Sequence, residues 1–136
     1  MKRTVVGCLL FIFVFSCNNK NDFESFINKQ FQSNYPNYYI DYDSVIIIPR
    51  EGCTSCIKES ERFIKENINN NAYLFIFTKI SSEKELKITF GYEMLKLKNV
   101  IVDTKNIFYR YEDIENHYPL KLTKDKDYFL YERLNF

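Results

Sequence analysis

Glycine and proline are scarce, three of each in 136 residues. Long flexible linkers and collagen-like or mucin-like segments need those residues in bulk, so they are excluded. Tryptophan is absent, and histidine occurs once, as His117. No internal repeat is present. The formal charge is +1, with Lys and Glu mixed along the chain rather than gathered in blocks, so no basic excess points to nucleic acid. Aromatic residues, by contrast, are abundant. They make up 18% of the chain, all of it Phe and Tyr, a composition that suits sheet.

A nearly unbroken apolar run occupies residues 5–15, behind Lys2 and Arg3. A membrane-spanning helix needs about 20 apolar residues. A secretory signal needs about 7–15, followed by a small residue before the cut. Here the run closes on Val14-Phe15-Ser16-Cys17, and the composition turns polar at once in Asn18-Asn19-Lys20-Asn21-Asp22. This ending resembles the lipobox of bacterial lipoproteins: an aliphatic residue, a variable one, a small one, then cysteine. Bulky Phe15 is its one departure. The resemblance implies cleavage before Cys17, diacylation of its thiol and acylation of the new amine. Two or three acyl chains anchor a protein stably where one does not. An ordinary signal peptide with an incidental Cys17, or an uncleaved anchor, are the alternatives.

The expected organisation is a signal peptide over 1–16, a tether over 17–22 and one domain over 23–136. The protein would be held to a membrane through lipid on Cys17 and would face the periplasm or the cell exterior. Loss of Lys2 and Arg3 leaves the mature chain near −1. About 120 residues remain, enough for one compact core.

Of the four cysteines, Cys8 leaves with the signal and Cys17 takes the lipid. Cys53 and Cys56 remain, spaced C-x-x-C, in a compartment where disulfides form and persist. Zinc takes four ligands, and two cysteines with His117 fall short unless carboxylates or a second subunit join. No metal and no cofactor is expected.

Periodicity places the pair. Phe23, Phe26, Ile27 and Phe31 recur at helical spacing, predicting a helix over 23–32 that Pro36 stops. Residues 38–48 are rich in β-branched and aromatic residues and end in Val45-Ile46-Ile47-Ile48, a strand buried on both faces. A helix is predicted over 53–69, with Ile57, Ile64 and Ile68 on one stripe and Phe63 beside it. Residues 73–80 form a strand. Ser82 and Glu85 fit a capping box opening a further helix, which Gly91 interrupts. Val100-Ile101-Val102 is a strand. Tyr118-Pro119 then precedes two short strands, 120–122 and 128–134, around a polar turn at 124–127.

This α/β order, with C-x-x-C between a buried strand and a helix, resembles the thioredoxin fold. Specifically, it resembles the small membrane-anchored thioredoxin-like proteins of bacterial envelopes, the TlpA/ResA type, over residues 38–134. The resemblance implies a mixed central sheet flanked by helices, and a cis-proline at Tyr118-Pro119 facing the redox pair. It also implies thiol–disulfide exchange with protein cysteines of the envelope. Gly52 stands where the family has an aromatic, and Thr54-Ser55 where it has Gly-Pro. Residues 45–48 contain no acid to serve as a buried proton acceptor. The family's final helix is expected to be absent, since the last strand runs almost to Phe136.

The chemistry follows from the residues as well. Exchange needs a thiolate, and a free cysteine is mostly protonated near neutral pH. A helix N-terminus, with its unpaired N–H groups and positive dipole end, favours the thiolate by about 0.3–1 kcal/mol. Cys53 is then the attacking catalytic thiol and Cys56, one turn on, the resolving one, both on one helix face. Glu51 opposes thiolate formation and Lys58 favours it. His117 is a surface residue on the simplest reading, with a tuning role open through its closeness to Pro119. Tyr35, Tyr38, Tyr39 and Tyr42 look like a ligand platform, but packing over the sheet edge is the simpler reading. Two other readings of the cysteines stay open. One is a structural disulfide, which closes a very small loop and so stabilises little. The other is a non-catalytic binding module that uses a sheet face left open by the missing helix.

Overall fold

The computed structural model describes residues 19–110 and 119–134. The expectations placed on the signal segment, Cys17, His117 and Tyr118 fall outside those residues.

Four consecutive β-branched residues make β1 (Ser44–Pro49), and Val45, Ile46, Ile47 and Ile48 are all fully buried. Such a strand is stable only with cover on both faces. It lies at the centre of a five-stranded sheet of order β3-β2-β1-β4-β5. β2 (Tyr73–Thr78) and β3 (Val100–Val102) run parallel to it on one side. β4 (Leu120–Asp125) is antiparallel on the other side, and β5 (Tyr128–Arg133) closes a hairpin through the tight turn Lys126-Asp127.

Alternation along the strands divides the core in two. Val45 and Ile47 join Leu74, Ile76, Leu120, Leu122 and Phe129 on one face, under Phe23, Ile27 and Phe31 of helix α1 (Asn19–Asn34). Ile46 and Ile48 join Phe75 and Phe77 on the other. Ile64 and Ile68 cover that face from α3 (Thr54–Asn67) and its C-cap, and Leu86 and Phe90 from α4 (Glu83–Phe90). The protein is therefore α/β, a mixed five-stranded sheet flanked by three helices.

Several local expectations change. Helix α1 begins at Asn19 rather than at residue 23, so the last four positions assigned to the tether are helical. Asp22 in its first turn suits the positive end of the dipole. Residues 38–41 are not strand but a single helical turn, α2 (Tyr38–Asp41). The Tyr38 and Tyr42 rings stack with centroids 6.2 Å apart across that turn, and the Tyr42 hydroxyl donates to the Lys98 carbonyl at 3.1 Å. The Tyr35 ring stacks on Phe108. These three tyrosines are packing elements. The predicted cap is present: Ser82 Oγ accepts from the Glu85 N–H at 3.3 Å. Gly91, at φ 81, ends α4 and donates its N–H to the Lys87 carbonyl.

No helix follows β5 among the described residues. Helix α1 closes the sheet face beneath it, so that face is not open. The opposite face of the β4–β5 hairpin carries Lys121, Thr123, Leu130 and Glu132; it is largely uncovered among the described residues, with Leu130 44% exposed.

Candidate functional site

The C-terminal ends of the three parallel strands share one edge of the sheet, the edge where ligand sites of open α/β sheets collect. β1 delivers its chain there at Pro49. The Arg50 N–H still donates to the Thr78 carbonyl at 2.9 Å, so the turn begins pinned to β2. The Arg50 guanidinium lies over the Phe90 ring and pairs with Glu61 of α3 at 2.5 Å, tying strand end to helix. Gly52 follows at φ +124, a backbone conformation that side-chain-bearing residues rarely adopt, although a Cβ there would meet nothing within 4 Å. Backbone conformation, not space, accounts for glycine where the thioredoxin-like pattern has an aromatic.

Cys53 is the N-cap of α3. Its Sγ accepts from the Cys56 N–H at 3.4 Å, and its carbonyl accepts from the Ile57 N–H at 3.0 Å. The helix-terminal placement read from the sequence is thus present. Cys53 and Cys56 are joined as a disulfide, with Cα atoms 5.3 Å apart. Their surroundings differ. Cys53 is exposed, with the Ser55 hydroxyl 3.2 Å from its sulfur, whereas Cys56 is half-buried. Behind Cys56, buried Ser60 donates its hydroxyl to the Cys56 carbonyl at 2.6 Å, a bond that fixes the first turn of α3.

Both cysteines line a cleft of about 320 Å³ whose walls include Pro49, Ile57, Tyr109 and Pro119. The register explains how Pro119 gets there. β4 runs antiparallel with Leu120 opposite Ile47, which carries the preceding residue to the end of β1 beside the pair. Pro119 is buried and accepts from the Leu134 N–H through its carbonyl. It has no N–H of its own to offer the cleft.

The sequence reading missed two residues of this site. Lys79, at φ 51 just past the end of β2, donates its ammonium to the Tyr109 hydroxyl at 3.0 Å. The same nitrogen lies 4.6 Å from the Tyr109 ring centre and 4.0 Å from a Glu51 carboxylate oxygen. Tyr109 and Glu51 both line the cleft. Lys58, expected to be the favourable cation, is exposed on α3, and the cation beside Glu51 is Lys79. Only the parallel pairing of β1 with β2, Pro49 opposite Thr78, could have revealed this, because it sets residue 79 alongside the 50–52 turn.

Among the described residues, no three His, Cys, Asp or Glu side chains gather as a metal site. No described helix is long and apolar enough to cross a membrane. No protein-family model, curated protein or solved structure matches the chain. The site presents an exposed sulfur at a helix N-terminus, a half-buried partner one turn on, and a cleft of about 320 Å³ lined by both.

Proposed function

We propose that the chain is a lipid-anchored thiol–disulfide exchange protein of thioredoxin-like kind, similar to the TlpA/ResA type, acting on protein cysteines in the cell envelope. One observation carries the reading. Cys53 caps α3 just past the end of the central strand with Cys56 in the first turn, and Pro119 shares their cleft. The strand–C-x-x-C–helix order, the mixed sheet and the hairpin that follows Pro119 support a thioredoxin-like fold. In that family the proline bond is cis; here the bond involves Tyr118, which lies outside the described residues.

In the reduced protein, the Cys53 thiolate attacks a substrate disulfide. A bond forms from its sulfur to one substrate sulfur, and the other substrate sulfur leaves as thiolate. Cys56, deprotonated, then attacks the Cys53 sulfur. The Cys53–Cys56 disulfide forms, the second substrate sulfur leaves, and two electrons have passed to the substrate. The disulfide seen here is the oxidised end of that cycle, and run in reverse the cycle oxidises a dithiol. No cofactor is required. Attachment through Cys17 rests on the lipobox resemblance and would place the cleft in the periplasm or at the cell exterior.

Equilibration with glutathione buffers tests the reading. A redox-active pair should titrate at a potential between about −270 and −120 mV. A pair that stays oxidised until below about −300 mV is a structural bridge, and that result would overturn the proposal. The exposed hairpin face around Leu130 favours a second reading, a non-catalytic binding module, to which a locked bridge would point.

A further inference from the structure

We infer that Lys79 is a positioning residue for the cysteine pair, acting through the Glu51 carboxylate. The inference rests on the exchange reading only in requiring that the pair open and close. Glu51 stands two residues before Cys53 and lines the same cleft, so its negative charge opposes a thiolate at Cys53. The Lys79 ammonium lies 4.0 Å from that carboxylate and offsets it. The same ammonium holds the Tyr109 hydroxyl at 3.0 Å, which sets the aromatic wall of the cleft. One side chain therefore links the end of β2, the turn before the nucleophile and the segment leading towards Pro119.

Two features argue that this placement is specific. Lys79 adopts φ 51, a left-handed conformation uncommon outside glycine and asparagine, and strain of that kind collects at functional sites. The parallel register also leaves little choice of location, since residue 79 follows Thr78, which pairs with Pro49. Among the described residues, the charged and titratable groups that share the cleft with the pair are Glu51 from the turn and Tyr109 from the segment after β3, and Lys79, just past β2, contacts both from behind.

Formation of the thiolate stabilises the reduced form, and a stabilised reduced form makes the pair more oxidising. Removing Lys79 leaves Glu51 uncompensated and disfavours reduction; removing the Glu51 charge does the reverse. The ion pair is partly exposed and screened by solvent, so shifts of about threefold are expected.

The test measures the equilibrium constant for reduction of the pair by glutathione in Lys79→Asn, Glu51→Gln and the double variant. Asparagine tolerates the left-handed backbone, and Glu51 is half-exposed, so both single variants should fold; near-ultraviolet circular dichroism checks this. Lys79→Asn should lower the constant about threefold and move the pH profile of Cys53 alkylation upward. Glu51→Gln should raise the constant, and the double variant should match Glu51→Gln. Unchanged constants in both single variants would overturn the inference while leaving the exchange reading intact. So would an Lys79→Asn effect that persists in full without the Glu51 charge, because Lys79 would then not act through Glu51. A wild-type pair that does not cycle would remove the exchange reading and this inference together.

Discussion

Asn28 grips Phe129 by both polar groups of its backbone, across 101 residues of sequence: the Phe129 N–H donates to Asn28 Oδ1 at 2.8 Å, and Asn28 Nδ2 donates to the Phe129 carbonyl at 3.0 Å. One turn earlier on α1, Glu24 Oε1 accepts from the Tyr131 N–H at 2.8 Å. β5 is an edge strand, and unpaired edges template association with other chains. Here two helix side chains take the place of a sixth strand. This locks α1 to the hairpin whose first strand begins beside Pro119.

Asn28→Leu should therefore be costly. It leaves a buried donor and a buried acceptor of Phe129 without these bonds, each such group costing about 1–3 kcal/mol. Urea unfolding should show a loss of about 2–4 kcal/mol, whereas a change under about 0.5 kcal/mol would contradict the clamp.

Alkaline stability offers a second check. Burial first, and then the charges of Asp103 and Tyr38, push the Tyr35 phenol above its ordinary value of 10.0. The folded protein thus holds this proton more tightly than the unfolded chain. The stability involved is fully present below the unfolded value and is lost as pH rises through the raised folded one. The stability difference between wild type and Tyr35→Phe should be constant up to about pH 9, then shift against the wild type as pH rises. A difference that stays flat through pH 12 would contradict the raised value.

Where local sequence decides structure, the reading and the structure agree. The run Val45-Ile46-Ile47-Ile48 makes a fully buried central strand, Ser82 caps its helix, and Cys53 opens α3. The reading missed α2, because a tyrosine-rich segment reads as strand until the stacking of Tyr38 on Tyr42 favours a helical turn. It also missed the roles of Asn28, Glu24, Lys79 and Tyr109. Each depends on a partner brought near by topology, and no periodicity announces a polar side chain that meets a strand 101 residues away.

The anchor can be tested directly. The run ending in Ser16-Cys17 resembles a lipobox, so metabolic labelling with a fatty acid should tag the wild type and not Cys17→Ser. An unlabelled wild type, or label that survives the substitution, would remove the lipoprotein reading.

The most direct test of the central claim is asymmetry between the two cysteines. Cys53 is exposed at the N-cap, and Cys56 is half-buried behind it. Attack by Cys53 makes a mixed disulfide that only Cys56 can resolve. Expressed in its own envelope, Cys56→Ser should accumulate covalent protein adducts that vanish on reduction, while Cys53→Ser accumulates few. A structural bridge predicts equal losses of stability and no adducts in either variant, and that result would contradict thiol–disulfide exchange.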